Sequence, residues 1–310
     1  MESVFEQIEN LIWDDAGGRG LTTFALGGQL KGASISLLKA RHVLIVSGFY
    51  IEKSGSGETD GPLGTVFLAR ALEKLGAVVT LLTSPFNCAI LARASQEAGL
   101  SGKVTAIGKG EESNIFPKLL ADADLTHLIA VEQMGAAVDG NYYSMLGSDL
   151  THSTARFDSL FLLARDRGIV TIGIGDGGNE LGMGKLYSTL CGDDVYNRIC
   201  CITPADYLIV AGISNWGAYG LVAALSCIAR IQLLHEAEQE KTMLEAIIQA
   251  GAVDGRTLTA SMSVDGLPIS KQMQVVNELR HLYDLAEAER SENNERFAAF
   301  AARRGENADS

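Results

Sequence analysis

The sequence predicts an α/β fold with a mostly parallel, open sheet, helices on both faces of it, and extra helices at the N- and C-termini. Three observations support this class. Short β-branched runs alternate with segments of helical periodicity, which is typical of a parallel sheet covered on both sides. The chain has 310 residues, 47% of them hydrophobic, enough to bury one large core. Polar motifs follow the strand-like runs. We predict one domain over residues 1–290 and a polar, frayed tail over 291–310.

The strands are predicted where apolar runs end in turn residues, in a Rossmann-like three-layer order. We expect them at residues 43–49, 77–83, 126–132, 169–174 and 207–212.

The helices are predicted from apolar residues that recur on one face and from stop signals. Leu68, Leu72 and Leu75 share a face before Gly76, and Phe157 and the residues after it repeat the pattern before residue 168. We expect helices at 61–75, 87–98, 154–167 and 217–236, a weaker strand–helix unit within 103–120, and a helix from Pro268 to about 289.

Charge and composition narrow the class of partner. The formal net charge is −13, from 25 basic and 38 acidic residues, which argues against nucleic acid and anionic membranes. The acidic start predicts no signal or transit peptide, and no apolar run approaches the roughly 20 residues of a membrane span. The five cysteines are odd in number, two of them are adjacent and no Cys-x-x-Cys occurs, which indicates free thiols in a reducing cytoplasm. We therefore expect a cytoplasmic protein with a small-molecule partner; a homo-oligomer is compatible with the sequence.

A glycine-rich loop at residues 173–185 is the most informative segment for function. Six glycines there alternate with Asp176, Asn179 and Glu180. The loop formally matches a dinucleotide fingerprint, but it lies past the middle of the chain and puts a carboxylate where a pyrophosphate would sit. Carboxylates beside an amide better suit a hard cation such as Mn²⁺ or Mg²⁺. The alternative is a tight connection whose acids cap the next helix.

Four polar loops follow the carboxyl ends of predicted strands, at residues 47–60, 132–149, 173–185 and 214–216. Ligands of open α/β sheets bind at that edge, so we expect the loops to form one site. Glu132, at the tip of a buried strand, must be paired, metal-bound or shifted in pKa, because an unpaired buried charge is costly.

Several of these residues also have structural interpretations. Thr59 or Asp60 can cap the helix that Pro62 begins, while the same helix terminus can bind an anion. Ser214 and Asn215 can cap another helix, or together with the following tryptophan bind an amino-acid-like ligand. The Asp-Gly step at 139–140 is a turn by default, and Lys185 can be a solvated surface lysine.

Taken together, six segments carry a resemblance to a known family, the D-glutamate cyclase family, over residues 14–224. The resemblance implies a metal-assisted enzyme of the Mn²⁺ type that closes D-glutamate to 5-oxo-D-proline with loss of water. The segments are Gly17-Gly18-Arg19-Gly20, Val43 to Phe49, Glu58-Thr59-Asp60-Gly61-Pro62, Asp139-Gly140-Asn141-Tyr142-Tyr143, Gly173 to Lys185, and Ser214-Asn215-Trp216-Gly217-Ala218-Tyr219.

On this interpretation the site residues fall into three groups. We expect Glu132 to act as the base, with Asn179 and the N–H groups of the glycine loop stabilising the oxyanion and Lys185 also contributing to catalysis. Asp176 and Glu180, helped by Glu58 or Asp60, hold Mn²⁺ or Mg²⁺. The expected substrate-binding residues are Arg19, Thr59, Gly61, Asn141, Tyr142, Ser214, Asn215 and Trp216.

The chain departs from the family at two positions where arginine is usual, which here are Gln133 and Leu146. A dicarboxylic substrate needs cationic partners, so another basic residue substitutes or the substrate differs. The candidates to substitute are Arg19, Lys53, Arg156 and Lys185. Two alternatives stay open: a metal-dependent enzyme that acts on a phosphorylated or nucleotide ligand bound at the helix that Pro62 begins, and a non-catalytic amino-acid-binding relative.

Overall fold

The structure is a computed structural model that describes residues 3–306, with side chains described for residues 3–294. Its strands are β1 (His42–Ser47), β2 (Tyr50–Ile51), β3 (Ser56–Gly57), β4 (Val78–Thr83), β5 (Val104–Ala106), β6 (Leu125–Val131), β7 (Val170–Gly175), β8 (Tyr207–Val210), β9 (Ser263–Val264) and β10 (Leu267–Pro268). Its α-helices are α1 (Val4–Ile12), α2 (Gln29–Leu37), α3 (Pro62–Lys74), α4 (Cys88–Glu97), α5 (Glu112–Leu119), α6 (Phe157–Asp166), α7 (Tyr187–Leu190), α8 (Tyr196–Ile199), α9 (Ser214–Ala229), α10 (Ala237–Gln249) and α11 (Ile269–Glu306).

Six strands form one parallel sheet in the order β5-β4-β1-β6-β7-β8. The chain order of these strands reverses between β1 and β6, as it does in doubly wound folds. The predicted α/β class is confirmed, including the extra helices before β1 and after β8, and so is the strand–helix unit within 103–120. At such a reversal the loops after the two strands diverge to opposite faces and leave a crevice at the carboxyl edge.

The two faces of the sheet bury two separate hydrophobic cores. Along β1, Val43 and Ile45 belong to one core, while Leu44 and Val46 belong to the other. Alternate side chains of a strand point to opposite faces, so a strand buried on both faces is apolar without interruption. The first core is covered mainly by α3, α4, α9, α10 and α11, and the second by α5 and α6.

Helices α3 and α9 begin side by side at the carboxyl edge of the sheet. The N–H groups at the start of each helix are capped by a residue at the start of the other. Asp60, just before α3, accepts the N–H groups of Ser214 at 3.0 Å and Asn215 at 2.8 Å. In return, Asn215 Oδ1 accepts the N–H groups of Gly61 at 3.0 Å and Gly64 at 2.7 Å. These bonds satisfy N–H groups that a helix start otherwise leaves open. The prediction that Asp60 and Asn215 cap their own helices is wrong, because Asp60 caps α9 and Asn215 caps α3.

Two helix ends differ from the sequence prediction. Helix α9 stops at Ala229, short of residue 236, because Arg230 takes a left-handed conformation with φ of 58°. Helix α11 continues through Glu306, past the predicted end near 289. The domain boundary at residue 290 stays a prediction, and residues 307–310 lie outside the described residues. Among residues 3–306, no helix is long and apolar enough to cross a membrane.

Candidate active site

Six acidic residues lie together at the carboxyl edge of the sheet, and each is at most 6% exposed. They come from the ends of β6 and β7, the segment before α3, and the turn between β9 and β10. Three of the four polar loops that the sequence analysis assigned to one site therefore contribute carboxylates, and the fourth contributes Ser214. We call these residues the acid cluster: Glu58, Asp60, Glu132, Asp176, Glu180 and Asp265.

Glu132 follows β6 directly and has an unusual backbone conformation, with φ of 46°. Its carboxylate Oε2 accepts the hydroxyl of Ser214 at 2.5 Å. Gly61 makes room beside it, because a Cβ atom at that glycine would lie 2.8 Å from Glu132 Cβ. Burial, and after it the negative charges of Asp176 and Glu180, hold the pKa of Glu132 well above its usual range. Left-handed backbone at a non-glycine residue is sparsely populated and concentrates at functional sites.

The glycine loop turns its acids toward the crevice. Glu180 Oε1 accepts the N–H groups of Asp176 at 3.2 Å and Gly177 at 2.6 Å. Its other oxygen, Oε2, has no hydrogen-bond partner among the described residues, and neither carboxylate oxygen of Asp176 accepts a hydrogen bond there. From the sequence, the loop N–H groups are expected to stabilise an oxyanion. Two of them are already bound to Glu180.

Asn179 presents an oxygen to this region. Its Nδ2 donates to the backbone oxygen of Tyr143 at 2.7 Å, and its Oδ1 has no partner within the described chain. A carbonyl only accepts, so the contact with Tyr143 fixes which end of the amide faces inward. In this orientation Asn179 offers an oxygen that can bind a cation or an ammonium group, while its Nδ2 group faces the backbone of Tyr143.

The start of α3 is taken by protein groups. Asn215 Oδ1 receives two N–H groups there, and Asp60 Oδ1 accepts the N–H of Gly61 at 3.0 Å. An anion at a helix start needs free N–H donors. The N–H groups of Gly61 and Gly64 are thus used by the protein itself, which disfavours a phosphate at the start of α3.

Arg19 forms ion pairs with two members of the acid cluster. Its Nη1 contacts Asp176 Oδ2, and its Nη2 lies 2.6 Å from Asp265 Oδ2. Burial opposes its charge, but Asp176 and Asp265 outweigh that effect and raise the pKa of Arg19 above its usual value. Among the described residues, these are the ion pairs that the cluster makes. Arg19 therefore binds carboxylates, as predicted, but the carboxylates belong to the protein.

Asp265 is a member of the cluster that sequence reasoning missed. It lies in the turn between β9 and β10 with φ of 52°, followed by Gly266. The Asp-Gly pair is a turn signal, and it lies just before the helix predicted from Pro268, where it suggests a helix cap and no site residue. The contact with Arg19 spans almost the whole chain, so local pattern gives no hint of it.

Four expected substrate-binding side chains are engaged with other protein groups. Each makes a hydrogen bond away from the acid cluster. The bonds are Thr59 Oγ1 to the backbone oxygen of Ser263 at 3.0 Å, Trp216 Nε1 to Gln272 Oε1 at 2.5 Å, Tyr142 Oη to Asp158 Oδ2 at 2.6 Å, and Asn141 Nδ2 to Asp139 Oδ2 at 3.0 Å.

Buried Asp158 is a second residue without a sequence signal. Besides the hydroxyl of Tyr142, it accepts the N–H of Ala136 at 2.9 Å and the hydroxyl of Thr203 at 2.6 Å. One carboxylate thereby ties together the loop after β6 and the segment before β8. Asp158 positions the walls of the crevice.

Lys185 does not reach the acid cluster. Its Nζ donates to the backbone oxygen of Asp206 at 2.5 Å, at the beginning of β8. That is the amino edge of a parallel strand, opposite the edge where the acids meet. Lys53 and Arg156 are exposed and form no ion pair with the cluster among the described residues.

The donor set fits a hard divalent cation. Two groups of three carboxylates have one oxygen each within 4.8 Å of one another: Glu132, Asp176 and Glu180 in one, and Asp60, Asp176 and Asp265 in the other. Mg²⁺ and Mn²⁺ take oxygen ligands, and buried acids without hydrogen-bond partners are costly unless a cation or a proton compensates them.

The raised pKa values in the acid cluster predict how the stability of the protein depends on pH when no metal is added. Burial and the neighbouring Asp265 raise the pKa of Asp60 to about 7. The ordinary pKa of an aspartate is about 4. Between about pH 4 and about pH 7, Asp60 therefore keeps a proton in the folded state that it has lost in the unfolded chain. The free energy of unfolding should therefore fall as pH rises through this window. Measured in chelator, Tm should be higher at pH 5 than at pH 7.5.

Asp60→Asn supplies the control for this prediction. It removes one titrating group and keeps a side-chain oxygen for the start of α9, so the decline in Tm should become shallower. The reverse trend in the parent protein, with Tm rising steadily from pH 5 to pH 7.5, would contradict the assignment of raised pKa values.

A human protein, "D-glutamate cyclase, mitochondrial", is 33% identical to this chain. The match covers 84% of this chain and 49% of the human protein, so the chain spans about half the length of this curated relative.

Two solved structures are similar only in part. A crystal structure of exonuclease RecJ bound to manganese has a TM-score of 0.39 and 13% identity, covering 84% of this chain and 67% of that one. A structure of RecJ from Thermus thermophilus in complex with Mn²⁺ has a TM-score of 0.36 and 11% identity, covering 83% of this chain and 38% of that one. Neither similarity bears on the function of this chain.

A family model described as "D-glutamate cyclase-like, C-terminal" matches residues 8–280. That span includes the whole six-stranded sheet and every member of the acid cluster. The resemblance drawn from the sequence motifs is thereby confirmed. This chain belongs to the D-glutamate cyclase-like, C-terminal family.

Proposed function

We propose that this protein is a metal-assisted lyase that cyclises D-glutamate to 5-oxo-D-proline with loss of water. One observation carries the proposal. In a member of the D-glutamate cyclase-like family, buried carboxylates with unpartnered oxygens converge at the carboxyl edge of a doubly wound sheet. Ligands of such sheets bind at that edge, and buried acids of this kind need a cation.

Asp176 and Glu180 would hold the cation, which we propose to be Mn²⁺ or Mg²⁺, and Asn179 Oδ1 would add a neutral oxygen. The three residues lie within one loop, and each has an oxygen without a hydrogen-bond partner among the described residues. When bound, the cation polarises the side-chain carboxylate of the substrate for attack. Glu58 and Asp60, which the sequence analysis placed among the helpers, lie in the same cluster.

Glu132 is the proposed base. The α-amine must lose a proton before it can attack, and Glu132 Oε1 is left to accept one because Ser214 holds Oε2. The raised pKa of Glu132 brings its basicity closer to neutral pH than that of an ordinary carboxylate. The new C–N bond closes the ring, the C–O bond breaks, and the two protons lost by the ammonium group end on the departing oxygen as water.

The substrate's α-carboxylate needs a cationic partner other than Arg19, whose guanidinium is already paired. The two positions where the family usually has arginine differ in exposure: Leu146 is 86% exposed, whereas Gln133 is 3% exposed and its Oε1 has no hydrogen-bond partner among the described residues. An exposed ion pair contributes about 0–1 kcal/mol, whereas a desolvated charge-assisted bond contributes about 1.5–3 kcal/mol.

We therefore expect Gln133→Arg to lower the KM for D-glutamate by about tenfold or more, and Leu146→Arg to change it by less than about fivefold. Steady-state kinetics of both variants measure this, with Leu146→Gln as the uncharged control. A large gain from Leu146→Arg alone would show that the loop around residue 146 folds over the substrate.

The test of the proposed function is direct. Purified protein is incubated with Mn²⁺ and either enantiomer of glutamate, and 5-oxoproline is quantified by chiral chromatography. The expected result is 5-oxo-D-proline from D-glutamate, little product from L-glutamate, and loss of turnover in chelator. Stabilisation by D-glutamate without product would instead identify a non-catalytic amino-acid-binding relative. Neither product nor stabilisation would refute the proposal.

The proposal includes a cytoplasmic location, supported by five cysteines that are all free thiols in the structure. The printed name of the human relative places that protein in mitochondria. Fractionation of source cells with an antibody against this chain tests the location.

A further inference from the structure

The acid cluster contains two positions for a cation, and Asp176 belongs to both. One position lies among Glu132, Asp176 and Glu180, and the other among Asp60, Asp176 and Asp265. This many buried carboxylates need compensating positive charge or protons, and the two positions could each take a divalent ion.

Arg19 supplies that charge at the second position. Its two terminal nitrogens contact Asp176 and Asp265, one on each side of the guanidinium. The backbone beneath it is held firmly: Asp15 accepts the N–H groups of Arg19 and Gly20, each at 2.9 Å, and the hydroxyl of Tyr196 donates to the Arg19 oxygen at 2.8 Å. These hydrogen bonds fix the backbone that carries Arg19 and so hold its guanidinium at this position.

At the first position, no cationic side chain among the described residues forms an ion pair with Glu132 or Glu180, and a neutral oxygen lies beside these acids. Asn179 is 1% exposed, and its Oδ1 has no partner among the described residues. A Cβ atom at Gly177 would lie 2.8 Å from this Oδ1 and 2.9 Å from Glu180 Oε1, so the amide oxygen lies beside the carboxylate of Glu180, whose other oxygen, Oε2, has no hydrogen-bond partner among the described residues. This amide is an observation independent of the acids, and it marks the first position as the one built for a metal.

We propose that the protein binds one divalent cation per chain at the first position, held by Asp176, Glu180 and Asn179 Oδ1 beside the base Glu132, and that Arg19 permanently fills the second cation position with Asp265. This assignment rests on the proposed function and refines its metal site. Arg19 and Asp265 are positioning residues, since they act by holding Asp176. Loss of the charge of Arg19 should open the second position to a divalent ion.

The experiment measures bound metal directly. Protein is loaded with Mn²⁺, separated from free metal by gel filtration, and analysed by inductively coupled plasma mass spectrometry. Expected values are one ion per chain for the parent, close to two for Arg19→Gln, one for Arg19→Lys and for Asp265→Asn, and close to none for Glu180→Gln.

Asp265→Asn and Glu180→Gln form a matched pair, because each neutralises one acid of the cluster. They keep the test decisive if Arg19→Gln does not fold. Equal metal loss from both would overturn the assignment, as would two ions in the parent or a single ion in folded Arg19→Gln. Two ions in the parent would leave the proposed function intact. No ion in the parent would refute the metal-assisted function itself.

Discussion

Asp176→Asn is expected to abolish the stabilisation of the protein by Mn²⁺ and to lower turnover by about 10³-fold, because loss of the bound metal forfeits several kcal/mol of charge stabilisation. Asp176 is the one residue common to both cation positions, and neither of its oxygens accepts a hydrogen bond among the described residues. Asparagine keeps the shape and removes one buried negative charge, so the fold itself should persist.

Differential scanning fluorimetry with and without Mn²⁺ measures the first effect, and the 5-oxoproline assay measures the second. Asp124→Asn is the matched control, since Asp124 is an exposed acid paired with Arg41 at 3.2 Å, far from the cluster. Stabilisation of Asp176→Asn by Mn²⁺ to the same extent as the parent would exclude the glycine loop as the metal site.

Glu132→Gln is expected to lower turnover by about 10²-fold or more while metal-dependent stabilisation is retained. Glutamine can still accept the hydroxyl of Ser214, so the geometry after β6 should survive. What is lost is the ability to take a proton from the substrate's ammonium group. The KM should change little, because the change acts on the chemical step.

Glu278→Gln on the surface of α11 is the control, where Gln274 donates to the carboxylate at 2.7 Å. Unchanged turnover in Glu132→Gln would remove Glu132 from catalysis. A simultaneous loss of metal-dependent stabilisation would make it a cation ligand in place of a base.

The sequence predicted which loops contribute residues to the candidate site, and there is a physical reason for this. Strands buried on both faces produce continuous apolar runs, and each run marks the point where the next loop enters the crevice. Glu132, Asp176 and Ser214 could be assigned to one site in this way, because a parallel sheet brings the carboxyl ends of its strands to one edge.

The sequence could not show how those side chains are occupied. Asp265 joins the cluster from a hairpin near the end of the chain, and Arg19 reaches it from near the beginning. The orientation of Asn179 depends on the backbone of Tyr143, and the position of Lys185 depends on the packing of the segment before β8. Such contacts depend on tertiary packing, which the hydrophobic periodicity of a sequence does not reveal.

The paired caps of α3 and α9 have a mechanical consequence. Asp60 and Asn215 exchange hydrogen bonds with four N–H groups of the opposite helix start, and Asn215 Nδ2 adds a bond to the Thr59 oxygen at 3.2 Å. A motion that separated these helices would leave their buried donors and acceptors without hydrogen-bond partners. The floor of the crevice is therefore expected to stay rigid through turnover, and access for substrate must come from motion of the loops above it.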